Sequence, residues 1–120
     1  MTSKRRWPFT AAFVGLLLCV APAFAQDRVS ADALIAAASD KLIVEGDVDA
    51  AIRLAEQVVT RFTKTDRPAA ARALLMLGDF HELKGDGEAR RIYERLRSEF
   101  SDQQNPARTA TYRLRLLGGH

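Results

Sequence analysis

The stretch LGDFHELKGD, residues 77–86, decides how the chain is interpreted. It sets His81 beside Glu82 and ends in a Gly-Asp pair. A His-Glu pair can begin a helical zinc site, but that motif needs a second histidine one turn later. Position 85 is glycine, and the only other histidine of the chain is His120. A Gly-Asp pair, in contrast, is typical of one helix ending and another beginning, so the stretch predicts the turn of a helical hairpin.

Apolar residues before and after this turn recur at the three-or-four-residue spacing of amphipathic helices. Proline, glycine and Asx residues divide residues 30–118 into five segments with this spacing. The apolar stripes run from Ala31 to Leu42, Val48 to Phe62, Ala70 to His81, Ala89 to Phe100 and Ala107 to Leu117. No segment alternates with a period of two over a useful length, so we expect an all-α protein.

The residues that flank these stripes are those that begin and end helices. Ser30 and Asp47 precede the first two segments, where their side chains can accept hydrogen bonds from free backbone N–H groups. Pro68 fits the first turn of the third helix, because its missing N–H would have no partner there. Gly85 predicts a left-handed end to that helix, and Asp86 predicts the cap of the next one.

The predicted helices also repeat at a fixed offset, which is the signature of repeat proteins. The stretch EGDVDAA, which begins at Glu45, recurs as KGDGEA from Lys84 onward. Gly46 and Gly85 of these stretches are 39 positions apart, whereas Phe62 and Phe100, and likewise Arg67 and Asn105, are 38 positions apart. One residue is therefore missing after the second Gly-Asp turn, and elsewhere the register holds.

The second unit resembles a tetratricopeptide repeat, a helical hairpin with a Leu-Gly pair on its first helix and alanine and aromatic positions on its second. The positions that carry this resemblance are Leu74, Leu77, Gly78, Gly85, Asp86, Ala89 and Tyr93. The resemblance implies that Gly78 lets the two helices approach closely and that Ala89 lies where they cross. The first unit has Ser39 in place of Gly78, and the repeat period exceeds the family's usual length of about 34.

The resemblance implies a short right-handed α-solenoid of two helical hairpins plus a C-terminal capping helix. The domain is expected at residues 32–118, after a lead-in at 26–31. Repeat one takes about 32–66, repeat two about 67–102 and the capping helix about 105–117. The long link between repeats is similar to that of bacterial cell-envelope members of the family, of the Tol-Pal coordinator or outer-membrane assembly lipoprotein type.

The segment 1–25 has the layout of a secretory signal. A basic start, Lys4–Arg6, precedes a short apolar run and the small-x-small pattern Ala23–Ala25. We expect cleavage after Ala25 and a periplasmic or secreted product, because the run is shorter than the ~20 residues of a membrane-spanning helix. One alternative is a retained membrane anchor, and another is a lipoprotein anchored through Cys19, although Leu18 stands where a small residue is usual.

Charge gives no general case for nucleic-acid binding once the signal is removed. Residues 26–120 contain 15 basic and 15 acidic side chains. The two signs are unevenly placed, with 8 basic and 11 acidic residues in 26–87 and 7 basic and 4 acidic residues in 88–120. This asymmetry can orient an acidic partner or join helices of the chain to one another.

No set of residues with catalytic or cofactor-binding spacing occurs in residues 26–120. Asp79 and Glu82 share a helix face, but a carboxylate pair on a surface helix is usually solvated rather than tuned for acid–base work. The glycines at 85 and 87 lack the lysine of a phosphate-binding loop. The sequence predicts no catalytic residue, no metal site and no cofactor, and so a protein that is not an enzyme.

The resemblance implies that the first helix of each hairpin lines a groove for a protein or peptide partner. By register, the groove residues are Asp40, Ile43, Val44, Arg72, Leu75, Asp79, Glu82 and Leu83. Leu75 can be either a groove anchor or a core residue. The leading hypothesis is an exported, non-catalytic adaptor in the bacterial cell envelope. A self-associating helical module, as a homo-oligomer, and a small hydrolase or metal-binding protein are the alternatives.

Overall fold

The computed structural model describes residues 23–118, with side chains from residue 31 onward, and this part of the chain is helical without a strand. The helices are α1 (Ala23–Ile43), α2 (Val48–Phe62), α3 (Arg67–Lys84), α4 (Ala89–Glu99) and α5 (Gln104–Leu117). The predicted all-α class is confirmed. The predicted signal peptide lies outside the described residues, apart from its last three, which begin α1.

The helices pack in chain order, each on the next, and α3 is the centre of the described structure. It touches α2 and α4 along its length and also contacts α1 and α5. Four alanines of α3 are fully buried, Ala69, Ala70, Ala71 and Ala73. Small side chains at these positions leave room for several neighbouring helices to approach one helix closely.

Aromatic residues at related positions of the two repeats fill the core. Phe62 ends α2 and Phe100 follows α4, and both are almost fully buried. Burying a phenylalanine side chain stabilises a fold by about 1.5–3 kcal/mol relative to leaving it exposed. Tyr93 and Leu96 of α4 are also fully buried, so this short helix contributes two of the five largest fully buried side chains.

The predicted helix boundaries are confirmed where a specific hydrogen bond forms. The Asp47 carboxylate accepts from the Ala50 backbone N–H at 3.0 Å and caps α2. Pro68 lies in the first turn of α3. Gly85 ends that helix in the left-handed conformation, with φ of 72°, and its N–H donates to the His81 carbonyl at 2.8 Å.

Two predicted caps are wrong. Ser30 does not begin α1, which starts at Ala23 and passes through it, because no proline or glycine interrupts residues 23–43. Asp86 does not cap α4, whose first helical residue is Ala89. Gly87, with φ of 85°, adds a further turn here, so the Asp86 carboxylate accepts instead from the Glu88 backbone N–H at 3.1 Å.

Candidate functional site

The contact between α3 and α4 depends on the absence of a side chain at Gly78. A Cβ at this position would lie 2.2 Å from Cε1 of Tyr93, far inside van der Waals contact. The tyrosine ring therefore lies directly against the α3 backbone and is fully buried. This is the close approach that the tetratricopeptide resemblance implied for Gly78.

The hydroxyl of Tyr93 reaches two carboxylates of α3. It lies 2.5 Å from Oδ1 of Asp79 and 2.5 Å from Oε2 of Glu82. A tyrosine hydroxyl has one proton, so it can donate to only one of the two carboxylates at a time. Burial, and then the hydrogen bonds to these carboxylates, raise the pKa of Tyr93 well above its usual range.

Arg113 brings α5 to the same carboxylate. Its Nε lies 3.2 Å from Oδ1 of Asp79, and its Nη2 donates to Oδ2 of Asp79 over 3.5 Å. The Nε is buried and makes no well-aligned hydrogen bond, so the contact is an ion pair rather than a two-pronged hydrogen-bonded fork. Asp79, Glu82, Tyr93 and Arg113 together, called the Tyr93 cluster below, join α3, α4 and α5.

His81 closes the turn between α3 and α4. Its Nδ1 lies 2.7 Å from Oδ2 of Asp86, on the far side of Gly85, and its side chain is largely buried. The Glu88 backbone N–H and, to a smaller degree, the contact with His81 lower the pKa of Asp86. No group of three histidine, cysteine or acidic residues that could hold a metal occurs in the described part of the chain. In this geometry His81 and Glu82 each hold another side chain of the hairpin.

The structure places the predicted partner-binding residues on α3 and at the end of α1. Those of α3 follow one helical stripe, with successive members three or four residues apart and Leu83 beside Glu82. The two helices are joined across this surface by Arg72 Nη2 and Asp32 Oδ1, which lie 3.2 Å apart. The surface is called the α1/α3 face below, and it comprises Asp40, Ile43, Val44, Arg72, Leu75, Asp79, Glu82 and Leu83.

These eight residues have different surroundings. Leu75 is partly buried against the core, and Arg72 pairs with Asp32. Asp79 and Glu82 are brought together through Tyr93, so they stabilise the hairpin as well as border the face. The other four residues are all exposed: Asp40, Ile43, Val44 and Leu83.

The sequence did not indicate the Tyr93 cluster. Tyr93 was expected only as a packing aromatic, and Arg113 had no assigned role. Arg113 is far from Asp79 in the chain, and no periodic pattern links residues on helices that are not neighbours in the chain. The only available signal was the excess of basic residues after position 87, which predicts ion pairs without naming them.

Comparison with known proteins gives no relative for this chain. A scan against protein-family models finds no match, and searches of curated proteins and of solved structures find none either. Within the described residues, no helix combines the length and apolar character needed to cross a membrane.

Proposed function

We propose that the chain is an exported adaptor of the tetratricopeptide type, which binds a protein or peptide segment and performs no catalysis. Helices that pack in chain order, with α3 also touching α1 and α5, support a short right-handed α-solenoid of two hairpins and a capping helix. The repeat register of the sequence and the contact between Gly78 and Tyr93 support the same architecture.

The observation that carries this proposal is a group of large exposed apolar side chains on the α1/α3 face. Ile43 is 79% exposed, Val44 76% and Leu83 66%. Leu83 lies at the end of α3, beside Lys84, whose Nζ is 2.7 Å from Oδ1 of Asp49 at the start of α2. The start of α2 closely follows Ile43 and Val44 in the chain, so all three apolar side chains lie at the same end of the helices. Clustered apolar side chains bordered by polar ones are typical of protein interaction sites.

Ion pairs and hydrogen bonds hold the helices that carry this face. Arg72 and Asp32 join α3 to α1, and the Tyr93 cluster joins α3 to α4 and α5. A surface that is already ordered loses less conformational entropy when a partner binds. The polar residues of the hairpin thus support binding by holding these helices in place.

The charges beside the apolar group define the chemistry of the partner. Asp40 lies one turn before Ile43 and has no ion pair among the described residues, and Glu82 adjoins Leu83. A segment with apolar side chains and flanking lysine or arginine residues fits such a surface. Its apolar residues would supply most of the binding energy, and its charges would select the orientation.

The pattern of residues 1–25 supports export as part of this proposal. Amino-terminal sequencing of the secreted form is expected to begin at Gln26. A form that begins at a lipidated Cys19 would contradict cleavage after Ala25 and place the adaptor at a membrane surface.

The experiment that tests the adaptor is capture of a partner from a crosslinked cell-envelope fraction. The bait carries Val44→Asp and Leu83→Asp, two changes at exposed positions that place charges in the apolar group. Gln57→Asp with Thr60→Asp is the matched control, because it places two charges at exposed positions of α2 that lie outside the α1/α3 face. We expect a partner that the wild type and the control capture and the double variant does not. Equal capture by all three proteins would contradict binding at the α1/α3 face.

A further inference from the structure

The first and last described helices each have an outer face that no described helix covers. α1 contacts only α2 and α3, and α5 contacts only α3 and α4. The outer face of α1, called the α1 end face, comprises Asp32, Ala33, Ala36 and Asp40, with Asp32 at the edge nearest α3, where it pairs with Arg72. The outer face of α5, called the α5 end face, comprises Arg108, Tyr112, Arg115 and Leu116. All eight residues are exposed, and each group follows one side of its helix.

The repeat register shows that the α5 end face corresponds to a packing face. Phe62 and Phe100 are 38 positions apart in the repeat register. The same offset relates the four residues of the α5 end face to Ala70, Leu74, Leu77 and Gly78 of α3. Those four are buried, and Gly78 lies against Tyr93 of α4. The equivalent positions of α5 instead hold large exposed side chains, with Tyr112 54% and Leu116 53% exposed. The α5 end face thus combines the position of a helix contact with the chemistry of a charged surface.

The two end faces have opposite charge. α5 contains no acidic residue, and in the described part of the chain neither Arg108 nor Arg115 has an ion pair. These arginines flank Tyr112 along a shallow groove of about 410 Å³. The α1 end face has no basic residue, and its two aspartates flank the small side chains of Ala33 and Ala36. Asp40 has no ion pair among the described residues, and Asp32, which pairs with Arg72 at the edge of the face, has a side chain that is 71% exposed.

The charges on the two faces also have similar spacing. Arg108 and Arg115 are two helical turns apart, which is about 10.5 Å along a helix at about 1.5 Å per residue. Asp32 and Asp40 are separated by one position more, about 12 Å by the same measure. If α5 of one copy packs along α1 of another, both arginines can therefore lie opposite both aspartates, and Tyr112 can pack on the two alanines between them.

We propose that the α5 end face docks on the α1 end face of a second copy of this chain. Pairing of two α5 end faces would oppose arginine to arginine, so the charges favour contact between unlike faces. A contact between unlike faces joins copies head to tail and leaves a free face at each end, which permits chains longer than a dimer. The α1 end face shares Asp40 with the α1/α3 face, but the α5 end face has no residue in common with it, so the arginine reversals below test this inference independently of the proposed adaptor function.

One helix face is a small contact area, and its charges are exposed. Contacts below about 1,200 Å² are typical of weak and transient association. We expect association in the micromolar range that weakens as salt rises from about 0.05 M to about 0.5 M, because salt screens exposed charges. The apolar contribution of Tyr112 and Leu116 is expected to persist at high salt.

The test is the concentration dependence of molecular mass, measured by sedimentation equilibrium on the protein as isolated from cells that express the full chain. We expect the mass to rise above that of one copy as concentration increases. Arg108→Glu with Arg115→Glu is expected to remain a single copy, as is Asp32→Arg with Asp40→Arg. Because Asp32 also pairs with Arg72, a melting curve must show that the second variant is folded. Arg53→Glu with Arg97→Glu is the matched control, because these exposed arginines lie on α2 and α4, and it is expected to associate as the wild type does.

Mixing the two end-face variants decides the geometry. Each then offers the charge that the other has lost, so association is expected to return in the mixture and to be absent from either variant alone. A wild type that stays a single copy at all concentrations would overturn the proposal. Association that survives both end-face variants, or that the mixture does not restore, would also overturn it. Nucleic-acid absorbance that is lost only with the arginine reversals would assign the α5 end face to a different ligand.

Discussion

The ring of Tyr93 occupies the space in which a Cβ of residue 78 would lie, at 2.2 Å from its Cε1. Gly78→Ala is therefore expected to force α3 and α4 apart or to displace a fully buried ring. Overpacking of this kind costs about 1–3 kcal/mol of the free energy of unfolding. Urea unfolding measures the change. Gly118→Ala is the control, because its Cβ would meet only an ordinary contact at 3.4 Å, and an equal effect of the two changes would refute the close approach.

Tyr93→Phe removes the hydroxyl that holds two carboxylates of α3. A hydrogen bond to a charged group contributes about 1.5–3 kcal/mol, and the low end applies because water can reach Asp79 and Glu82 after the change. We expect the free energy of unfolding to fall, as measured by urea unfolding at neutral pH. Tyr112→Phe, at an exposed tyrosine, is expected to have almost no effect.

The raised pKa of Tyr93 predicts a loss of stability in alkali. A tyrosine of the unfolded chain loses its proton near pH 10, whereas the folded state keeps the Tyr93 proton to higher pH. The unfolded state is therefore favoured increasingly above about pH 10. The slope of unfolding free energy against pH in this range is expected to be shallower for Tyr93→Phe than for the wild type. Identical slopes would show that the hydroxyl does not titrate differently in the two states.

The ion pair between Arg67 and Asp102 predicts a separate loss of stability in acid. Arg67 donates to both carboxylate oxygens of Asp102, at 2.6 and 3.0 Å, and lies over the ring of Phe100. Its guanidinium holds the pKa of Asp102 well below the usual range. The resulting stability is present above the unfolded value of about 3.9 and is lost as pH falls toward the folded one.

Asp102→Asn is expected to lower the melting temperature at neutral pH and to flatten its dependence on pH below about 4. Asp32→Asn removes the exposed ion pair to Arg72 and is the comparison, with a smaller expected change at neutral pH. Melting curves between neutral and strongly acidic pH provide the measurement. If the melting temperature of Asp102→Asn falls with acid pH as steeply as that of the wild type, the proposed role of this carboxylate is contradicted.

The interpretation of the Gly-Asp turn predicts that His81 is structural. His81→Ala removes the contact with Asp86 at 2.7 Å and leaves a partly empty site at the turn. We expect a modest fall in melting temperature and unchanged capture of a partner. Loss of capture in a variant that remains folded would instead place His81 in a binding or catalytic role.

Local rules predicted those parts of the fold that local hydrogen bonds determine. Asp47 caps α2 and Gly85 ends α3 because one carboxylate and one left-handed residue satisfy the free backbone groups nearby. The rules failed at Ser30, where the surrounding residues continue the helix without a cap, and at Asp86, where Gly87 allows another turn. In both places more than one local conformation satisfies the same residues.

The polar contacts of the candidate site could not be predicted in the same way. The stripe on α3 follows from helical periodicity, which is why the α3 residues of the α1/α3 face lie on one side of that helix. The hydroxyl of Tyr93, however, meets Asp79 only after α4 folds back on α3, and Arg113 arrives from a third helix. Contacts of this kind depend on crossing angles and side-chain lengths, neither of which leaves a periodic trace in the sequence.

Photo-crosslinking in cells provides the clearest test of whether the α1/α3 face binds a partner. A photo-reactive amino acid replaces Leu83 on the face or Gln57 on the exposed side of α2. Both positions are exposed, so neither replacement is expected to disturb folding. We expect a discrete crosslinked product with another protein from position 83 and none from position 57. No product from position 83, or the same product from both positions, would contradict the proposal that this face is the binding site.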